Sequence, residues 1–339
     1  MSRDIEKILV AGPAWVGDMV MAQSLFMTLK QRSHPVEIDV LAPQWSNPII
    51  ARMPEVSNVI NLPVQHGELG FLSRYKIGKS LRSKKYDQAI ITPRSYKSAL
   101  VPFFAKATTR TGYRGEMRYG VINDIRALDK HVLKQTVQRY VNLGLDKNSA
   151  SAPAIPFPKL SVDKNNLKQL LEKFKLDLTH PVIALLPGAE YGEAKRWPVE
   201  YYAILANELI EQGIQVWILG SEKDHLAAAS IAKNNSAINL CGKTKLEDCI
   251  DLLSVCKSAV TNDSGLMHVA AAVDIPLVAI YGSSTPDYTP PLTNKAKIQY
   301  LSLSCSPCFK RVCPLGHTDC LKKIMPREVL SILLKPGFQ

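Results

Sequence analysis

Residues 260–282, VTNDSGLMHVAAAVDIPLVAIYG, place an apolar strand, a polar turn, a helix of small residues and a second apolar strand in immediate succession. A strand that enters a helix through small residues points several backbone N–H groups outward, and these groups with the helix dipole bind phosphate. Gly265 lets a ligand approach the backbone, and Ser264 can cap the helix. Because many α/β proteins carry such a cap without a ligand, the segment by itself establishes a strand–helix–strand unit and suggests an anion site.

The same alternation of strands and helices runs along the whole chain. Strands are predicted at 7–12, 36–43, 58–63, 87–93, 181–188, 214–220, 237–242, 258–263 and 276–282. This order predicts parallel sheets covered by helices on both faces. Residues 148–160, NSASAPAIPFPKL, have the proline and small-residue composition of a linker.

The chain is therefore predicted to be an α/β protein with two Rossmann-like domains that face a central cleft. Its 339 residues suit two such domains better than one core. Residues 1–155 form the predicted N-terminal domain and 156–325 the C-terminal domain. Residues 326–339 are predicted to form a helix that packs back on the N-terminal domain.

Positive charge is concentrated in the first half of the chain. Residues 1–150 contain 22 Lys and Arg against 12 Asp and Glu, whereas residues 151–339 contain 20 against 18. Within 74–126 the ratio is 13 to 3. The imbalance indicates a solvated basic face or an anionic partner, which could be a phosphorylated substrate, an anionic membrane surface or nucleic acid. Nucleic acid is disfavoured, because no known binding motif or aromatic platform accompanies the charge.

The start of the chain and its cysteines bear on the compartment. MSRDIEKILVAG leads directly into a strand pattern without an h-region, and no apolar run is long enough for a membrane span, which predicts a cytoplasmic protein. Its seven cysteines are then expected to be thiols. Four of them form the cluster Cys305-x2-Cys308-x4-Cys313-x6-Cys320 around His317. A single C-x2-C pair favours reduced thiols over zinc, and we predict no metal site.

Candidate site residues follow the predicted strands, at the edge where open α/β sheets bind ligands. Asp18 follows the first strand, and Lys195 lies in the glycine-bearing loop PGAEYGEAKRWP, where it could hold a phosphate. Asp224 or Glu222 could accept hydrogen bonds from a ribose, and Thr244 could line a base pocket. Each residue could also lack a ligand, since carboxylates often only cap helices and lysines are usually just exposed.

Four segments in this order, GPAWVGDMVMAQSL, PGAEYGEAKRWP, NDSGLMHVAAA and CSPCFKRVCPLGH, resemble the bacterial heptosyltransferase family, glycosyltransferase family 9. The resemblance covers nearly the whole chain. It implies the glycosyltransferase-B fold and transfer of L-glycero-D-manno-heptose from ADP-heptose to the first heptose of heptosyl-Kdo2-lipid A, the lipopolysaccharide inner core. It also implies a location at the cytoplasmic face of the inner membrane, as a peripheral protein without a cofactor.

The resemblance assigns roles to residues one at a time. Asp18 matches the catalytic aspartate, and Lys195 matches the lysine that holds the donor phosphates. The remaining donor-binding positions are Asp224, Thr244, Asp263, Ser264, Gly265 and His268. The anionic acceptor fits the basic region, where we expect contacts from Arg94, Lys97, Arg110, Arg114 and Arg118.

Other interpretations fit the same sequence. A nucleotide-binding protein without catalysis and a sugar-nucleotide epimerase would share the architecture. Within the family, the enzymes that add the first or third heptose to a different acceptor are the close alternatives, and WVGDM with the cysteine cluster favours the second-heptose enzyme. Residues 98–105, SALVPFFA, could touch lipid, although a buried helix is the preferred interpretation.

Overall fold

A computed structural model describes residues 5–64, 67–147, 151–335 and 338. The chain divides into two compact units, Met1–Pro158 and Lys159–Gln339. Residues 148–150 of the predicted linker, and 336, 337 and 339 of the predicted C-terminal helix, lie outside the described residues. Residues 151–160 contain neither helix nor strand, in agreement with the proline-rich sequence.

The first unit contains a parallel six-stranded sheet in the order β3-β2-β1-β4-β5-β6. Its strands are β1 Glu6–Ala11, β2 Val36–Ala42, β3 Asn58–Asn61, β4 Gln88–Ile91, β5 Thr109–Tyr113 and β6 Asp124–Arg126. Its helices are α1 Val16–Lys30, α2 Asn47–Ile50, α3 Phe71–Ser80, α4 Leu100–Phe104 and α5 Thr136–Gly144. Ile8, Leu9 and Val10 are fully buried, because a parallel strand with helices on both faces is apolar on both sides.

The second unit repeats the plan with a parallel sheet in the order β12-β11-β10-β7-β8-β9. Its strands are β7 Val182–Leu186, β8 Gln215–Ile218, β9 Ile238–Asn239, β10 Ser258–Asn262, β11 Leu277–Ile280 and β12 Ala296–Gln299. Its helices are α6 Lys164–Phe174, α7 Val199–Glu211, α8 His225–Ile231, α9 Leu246–Leu253, α10 Gly265–Ala272, α11 Asp319–Lys322 and α12 Pro326–Leu333. The predicted fold class, α/β with two Rossmann-like domains, is confirmed.

The C-terminal helix α12 packs at a different place from the one predicted. The sequence predicts that this helix packs on the N-terminal domain, but in the structure it packs on α7 of the second unit. Val329 and Leu333 lie four residues apart on one helix face and join Trp197 and Tyr202 in the core of that unit. Both residues are buried, so α12 is part of the second core.

No helix among the described residues combines the length and the apolar content that crossing a lipid bilayer requires.

Candidate active site

Strand order gathers the candidate residues of the second unit at one edge of its sheet. β10 lies between β11 and β7, and β8 follows β7. Because the strands are parallel, the loops that leave their carboxyl ends meet at the same edge. These loops carry Lys195 after β7, Asp224 after β8 and Asp263 after β10. The site is therefore built on neighbouring strands of one rigid sheet.

A lysine–aspartate pair lies at the centre of this edge. The Lys195 Nζ forms an ion pair and a hydrogen bond with the Asp263 Oδ2. The buried Ser284, two residues after Gly282, also donates its hydroxyl to that oxygen at 2.5 Å. The ammonium group lies 5.0 Å from the centre of the Tyr191 ring. These contacts hold the ammonium group in place, although the lysine side chain stays 16% exposed and open to a ligand.

The amino terminus of α10 lies directly after this pair. α10 begins at Gly265, and the N-cap residue Ser264 makes no capping bond with its side chain. Helix geometry leaves the N–H groups of Gly265 and Leu266 without an acceptor inside the helix. These groups and the helix dipole attract an anion, and the Lys195 ammonium group adds a full positive charge beside them.

His268 lies in the first turns of α10 and is neutral near pH 7. It is 4% exposed, and its Nδ1 has no hydrogen-bond partner among the described residues. Burial lowers the pKa of His268 to about 4, and the nearby Lys195 acts in the same direction against the effect of Asp263. A neutral imidazole with an unpaired ring nitrogen can hydrogen-bond a ligand that enters this site.

The lowered pKa of His268 predicts a specific loss of stability in acid. The unfolded chain takes up this proton near pH 6.5 and the folded chain only near pH 4, so acidification through that window favours unfolding. We expect His268→Gln to lose less stability than the unmodified protein between these pH values, by on the order of 3 kcal/mol. Urea unfolding followed at a series of pH values measures the difference. Parallel pH profiles for the two proteins would contradict the assignment.

Asn262 ties three segments of the site together. Its Oδ1 accepts hydrogen bonds from the Trp197 backbone N–H at 3.0 Å and from the Tyr202 hydroxyl at 3.2 Å. Its Nδ2 donates to the Pro187 carbonyl oxygen at 2.7 Å. Asn262 is fully buried, so these bonds form in a region of low dielectric constant. The loop 187–198 is thereby anchored at both ends to the carboxyl end of β10.

Asp224 is a buried carboxylate with a structural role in addition to any ligand contact. Its Oδ2 accepts hydrogen bonds from the backbone N–H and the hydroxyl of Ser221, at 2.9 and 2.8 Å. Its Oδ1 lies 3.9 Å from the Arg196 guanidinium. Gly188 leaves room for it, because a Cβ atom at this position would lie 2.7 Å from the carboxylate. Glu222, by contrast, is exposed at the same edge.

Thr244 follows β9 and is half-buried. Its hydroxyl donates to the Leu240 carbonyl oxygen at 3.2 Å, which fixes the turn between β9 and α9. The structure thus places Thr244 at the expected edge, beyond Asp224 in strand order.

The segment that follows β11 also contributes to this edge, although it is not among the residues predicted from sequence. Ser284 contacts Asp263 directly, whereas the neighbouring Ser283 hydroxyl is buried without a hydrogen-bond partner among the described residues. The backbone of Ser283 pairs with Ala194 and Phe309, at 3.0 and 2.7 Å. The signal was available, since GSST follows a predicted apolar strand, and strand ends are where ligands bind.

The cysteine-rich segment 305–320 supports the lysine loop. Tyr191 donates its hydroxyl to the Phe309 carbonyl oxygen at 2.7 Å, and the Ala194 N–H donates to the Arg311 carbonyl oxygen at 3.0 Å. Ser306 donates its hydroxyl to the Gly282 carbonyl oxygen at 2.6 Å. All seven cysteines are free thiols in the structure. No group of three or more His, Cys, Asp or Glu among the described residues is arranged to hold a metal ion.

Asp18 lies at the corresponding edge of the first unit. It follows β1, in the first turn of α1, and is half-buried. A carboxylate at this position stabilises the positive end of the helix dipole, and this interaction does not depend on a ligand. β4 lies next to β1, and β5 lies next to β4, so the loops after all three strands share this edge.

Three of the expected basic residues follow β4 and β5 and lie at the surface of that edge. Arg94 and Arg114 are exposed, and the Arg94 guanidinium donates to the Arg114 carbonyl oxygen at 3.1 Å. Lys97 is half-buried, and its Nζ donates to the Glu68 carbonyl oxygen at 3.2 Å. The exposed guanidinium groups give the Asp18 edge a positive character.

Arg110 and Arg118 are instead engaged inside the unit. Arg118 is 2% exposed and donates to the carbonyl oxygens of Pro93 and Tyr113, at 2.7 and 2.5 Å. Burial, with the charge of Arg94, lowers the pKa of Arg118 to about 10. Arg110 donates to the Ala107 carbonyl oxygen at 2.6 Å. Both side chains hold the loops that position the exposed arginines.

Comparison with known proteins agrees with this geometry. The model of the family described as Glycosyltransferase family 9 (heptosyltransferase) matches residues 74–319. The chain is 48% identical to Lipopolysaccharide heptosyltransferase 2 of Salmonella typhimurium, over 96% of this chain and 97% of that protein. It is 47% identical to Lipopolysaccharide heptosyltransferase 2 of Escherichia coli, with the same coverage. The solved structure of E. coli ADP-heptose lps heptosyltransferase II matches with a TM-score of 0.84 and 45% identity, over 96% of each chain.

Each Rossmann-like unit is built on a parallel sheet, and the chain matches a solved glycosyltransferase over 96% of its length. The protein is therefore a glycosyltransferase of the glycosyltransferase-B fold. The chain belongs to glycosyltransferase family 9, the heptosyltransferase family.

Proposed function

We propose that the protein transfers L-glycero-D-manno-heptose from ADP-heptose to the first heptose of heptosyl-Kdo2-lipid A. One observation carries the proposal: Lys195 and the uncapped start of α10 form a site for an anion beside a buried neutral histidine. The names of the curated relatives give the sugar and the lipopolysaccharide. The second unit binds the donor, and the first binds the acceptor.

The donor site stabilises the leaving ADP. In an inverting displacement, the acceptor hydroxyl attacks the anomeric carbon while negative charge builds on the departing diphosphate. The Lys195 ammonium group and the N–H groups of Gly265 and Leu266 are already oriented where that charge develops, so they stabilise the transition state without reorganisation. Asp263 and Ser284 orient the ammonium group. Because these groups supply the positive charge, the proposal includes transfer without a metal or cofactor.

In this proposal, the remaining positions of the donor site contact the phosphates, the ribose and the adenine of ADP-heptose. His268 hydrogen-bonds the donor through its neutral imidazole, and Ser264 contacts the phosphates. Asp224 accepts from the ribose hydroxyls, with the exposed Glu222 as the neighbouring carboxylate. Thr244 lines the adenine pocket. Each assignment is supported by position at the carboxyl ends of β8, β9 and β10.

Ser284 provides a sharp test of the donor site. Ser284→Ala removes the hydroxyl that donates to Asp263, and we expect the Kd for ADP-heptose to rise about tenfold, since a hydrogen bond to a charged group contributes roughly 1.5 kcal/mol. Ser331→Ala is the matched control, because its exposed hydroxyl donates to the Glu328 carbonyl oxygen on α12 and does not contact Asp263. Isothermal titration calorimetry measures both. If the two variants bind ADP-heptose with equal affinity, Ser284 does not contribute to donor binding.

On the first unit, Asp18 is the proposed general base. The transition state resembles an oxocarbenium ion, and a carboxylate that takes the acceptor proton lowers the barrier as the new bond forms. Arg94, Lys97 and Arg114 bind the carboxylates and phosphates of the acceptor, while Arg110 and Arg118 hold the loops in place. The lipid-anchored acceptor places the proposed enzyme in the cytoplasm, at the inner surface of the inner membrane.

The acceptor is tested directly with three purified inner cores that carry zero, one or two heptoses. We expect ADP release and a mass increase of one heptose only with the one-heptose core. Efficient transfer to the core without heptose, or to the core with two, would assign the enzyme to a different step. ADP release without an acceptor would contradict transfer altogether.

A further inference from the structure

A second surface of the first unit combines exposed apolar side chains with cations. It lies on α3 and the end of α4, and we call it the α3–α4 surface. Its members are Phe71, Leu72, Tyr75, Lys76, Lys79, Arg82, Phe103, Phe104 and Lys106. None of them is assigned to the donor or acceptor site above.

Aromatic side chains form the centre of the α3–α4 surface. The rings of Phe71, Tyr75 and Phe103 each lie edge-on to the Phe104 ring, with centre-to-centre distances of 5.6, 5.1 and 5.4 Å. Phe71 remains 49% exposed and Phe103 39% exposed. Leu72 is 71% exposed beside them on α3. A connected apolar group of this kind on a surface marks an interaction site.

Helical spacing places cations on the same outward face of α3. Arg74 and Gly78 are buried, which directs the opposite face outward. On that face Lys76 follows Leu72 by four residues, and Lys79 follows Tyr75 by four. Arg82 and the exposed Lys106 extend the charge, and the Arg82 Nε donates to the Phe104 carbonyl oxygen at 2.9 Å.

The α3–α4 surface is continuous with the acceptor edge. α3 begins near that edge, because it precedes β4 and runs back to the start of that strand. The Nζ of Lys97, which follows β4, donates to the Glu68 carbonyl oxygen just before α3. The Arg110 guanidinium lies 5.7 Å from the centre of the Phe103 ring. A partner on this surface therefore reaches the loops that carry Arg94 and Lys97.

We propose that the α3–α4 surface docks the enzyme on an anionic phospholipid bilayer. Aromatic and leucine side chains that enter the headgroup region, flanked by lysines that meet lipid phosphates, match this partner. Single-stranded nucleic acid fits less well, since the aliphatic Leu72 is the most exposed apolar member and has no ring for a base to stack on. The inference rests on the proposed function, which gives the enzyme a lipid-anchored acceptor.

Vesicle sedimentation of the full-length protein tests the inference. We expect binding to vesicles of phosphatidylcholine mixed with phosphatidylglycerol, weak binding to phosphatidylcholine alone, and release by salt. The double variant Leu72→Ser/Phe103→Ser, and separately Lys76→Glu/Lys79→Glu, should each lower the partition coefficient at least about tenfold. Leu226→Ser, at an 80% exposed leucine of the second unit, is the matched control and should bind normally.

Three outcomes would overturn the docking surface. They are unchanged vesicle binding by both double variants, equal binding to neutral and anionic vesicles, and loss of RNA binding in the variants while vesicle binding persists. Transfer to a water-soluble, deacylated core acceptor separates this inference from the proposed function. We expect Leu72→Ser/Phe103→Ser to retain that activity. Failure of the unmodified protein in the soluble assay would contradict the proposed function and leave the vesicle result standing.

Discussion

Asp18→Asn is expected to reduce heptose transfer by about 10²–10⁴-fold while the affinity for ADP-heptose stays close to normal, because only the general base is lost. The substitution keeps the size of the side chain at the start of α1 and removes the carboxylate that accepts the proton. The proposed donor site belongs to the second unit, so we expect donor binding not to depend on Asp18. The drop should therefore appear in kcat with saturating donor, and calorimetry should show an unchanged Kd for ADP-heptose.

Asp87→Asn is the matched control for Asp18. Asp87 is exposed just before β4, at the opposite edge of the same sheet, where it accepts a hydrogen bond from the Lys7 N–H at 2.8 Å. It should keep nearly full turnover. If Asp18→Asn also keeps full turnover, another group is the general base. If Asp18→Asn instead loses donor affinity together with thermal stability, the role of Asp18 is to stabilise the fold.

Lys195→Met should have the second large effect, lowering kcat by about 10²–10³-fold and weakening donor binding, because the charge that develops on the diphosphate loses its cation. Lys195→Arg retains the charge but not the compact shape of the ammonium group, so it should recover part of the donor affinity. Stopped assays with varied ADP-heptose separate kcat from KM, and thermal unfolding checks that Asp263 tolerates the loss of its partner.

Lys223→Met is the matched control for Lys195→Met, because it removes another lysine from the same edge of the second sheet. Lys223 is 69% exposed and pairs with the exposed Glu190 at 2.5 Å, away from Asp263. Its loss should change neither kcat nor KM appreciably. A Lys195→Met enzyme with the kinetics of Lys223→Met would contradict the proposed stabilisation of the leaving group.

The strands with continuous apolar runs could be predicted from sequence, and so could the positions of the candidate residues that follow them. ILVA of β1 and VIALL of β7 are buried on both faces, and that burial is what produces the runs. Lys195, Asp263 and Gly265 could be named because they occur at ends of such strands. Their hydrogen bonds, such as that from Ser284, depend on which loops the strand order brings together, and this information is not local.

Short or polar elements could not be predicted in the same way. β5 has the sequence TRTGY and β6 has the sequence DIR. Neither contains the continuous apolar run that predicts a buried strand. The exposed edge strand β12, AKIQ, lacks an apolar run because one side of it meets solvent. Arg118 looked like an acceptor contact because composition shows charge but not burial, and the fold buries that guanidinium among carbonyl oxygens.

Asn262 has a consequence for attempts to alter which sugar nucleotide such enzymes accept. Its single amide group connects the Pro187 carbonyl oxygen to the Trp197 N–H, across the full length of the loop that bears Lys195. A loop transplanted from a relative would keep its shape only if the recipient supplied this amide and the Tyr202 hydroxyl together. We therefore expect that an attempt to change the donor preference would have to exchange the strand end, the loop and the helix at once.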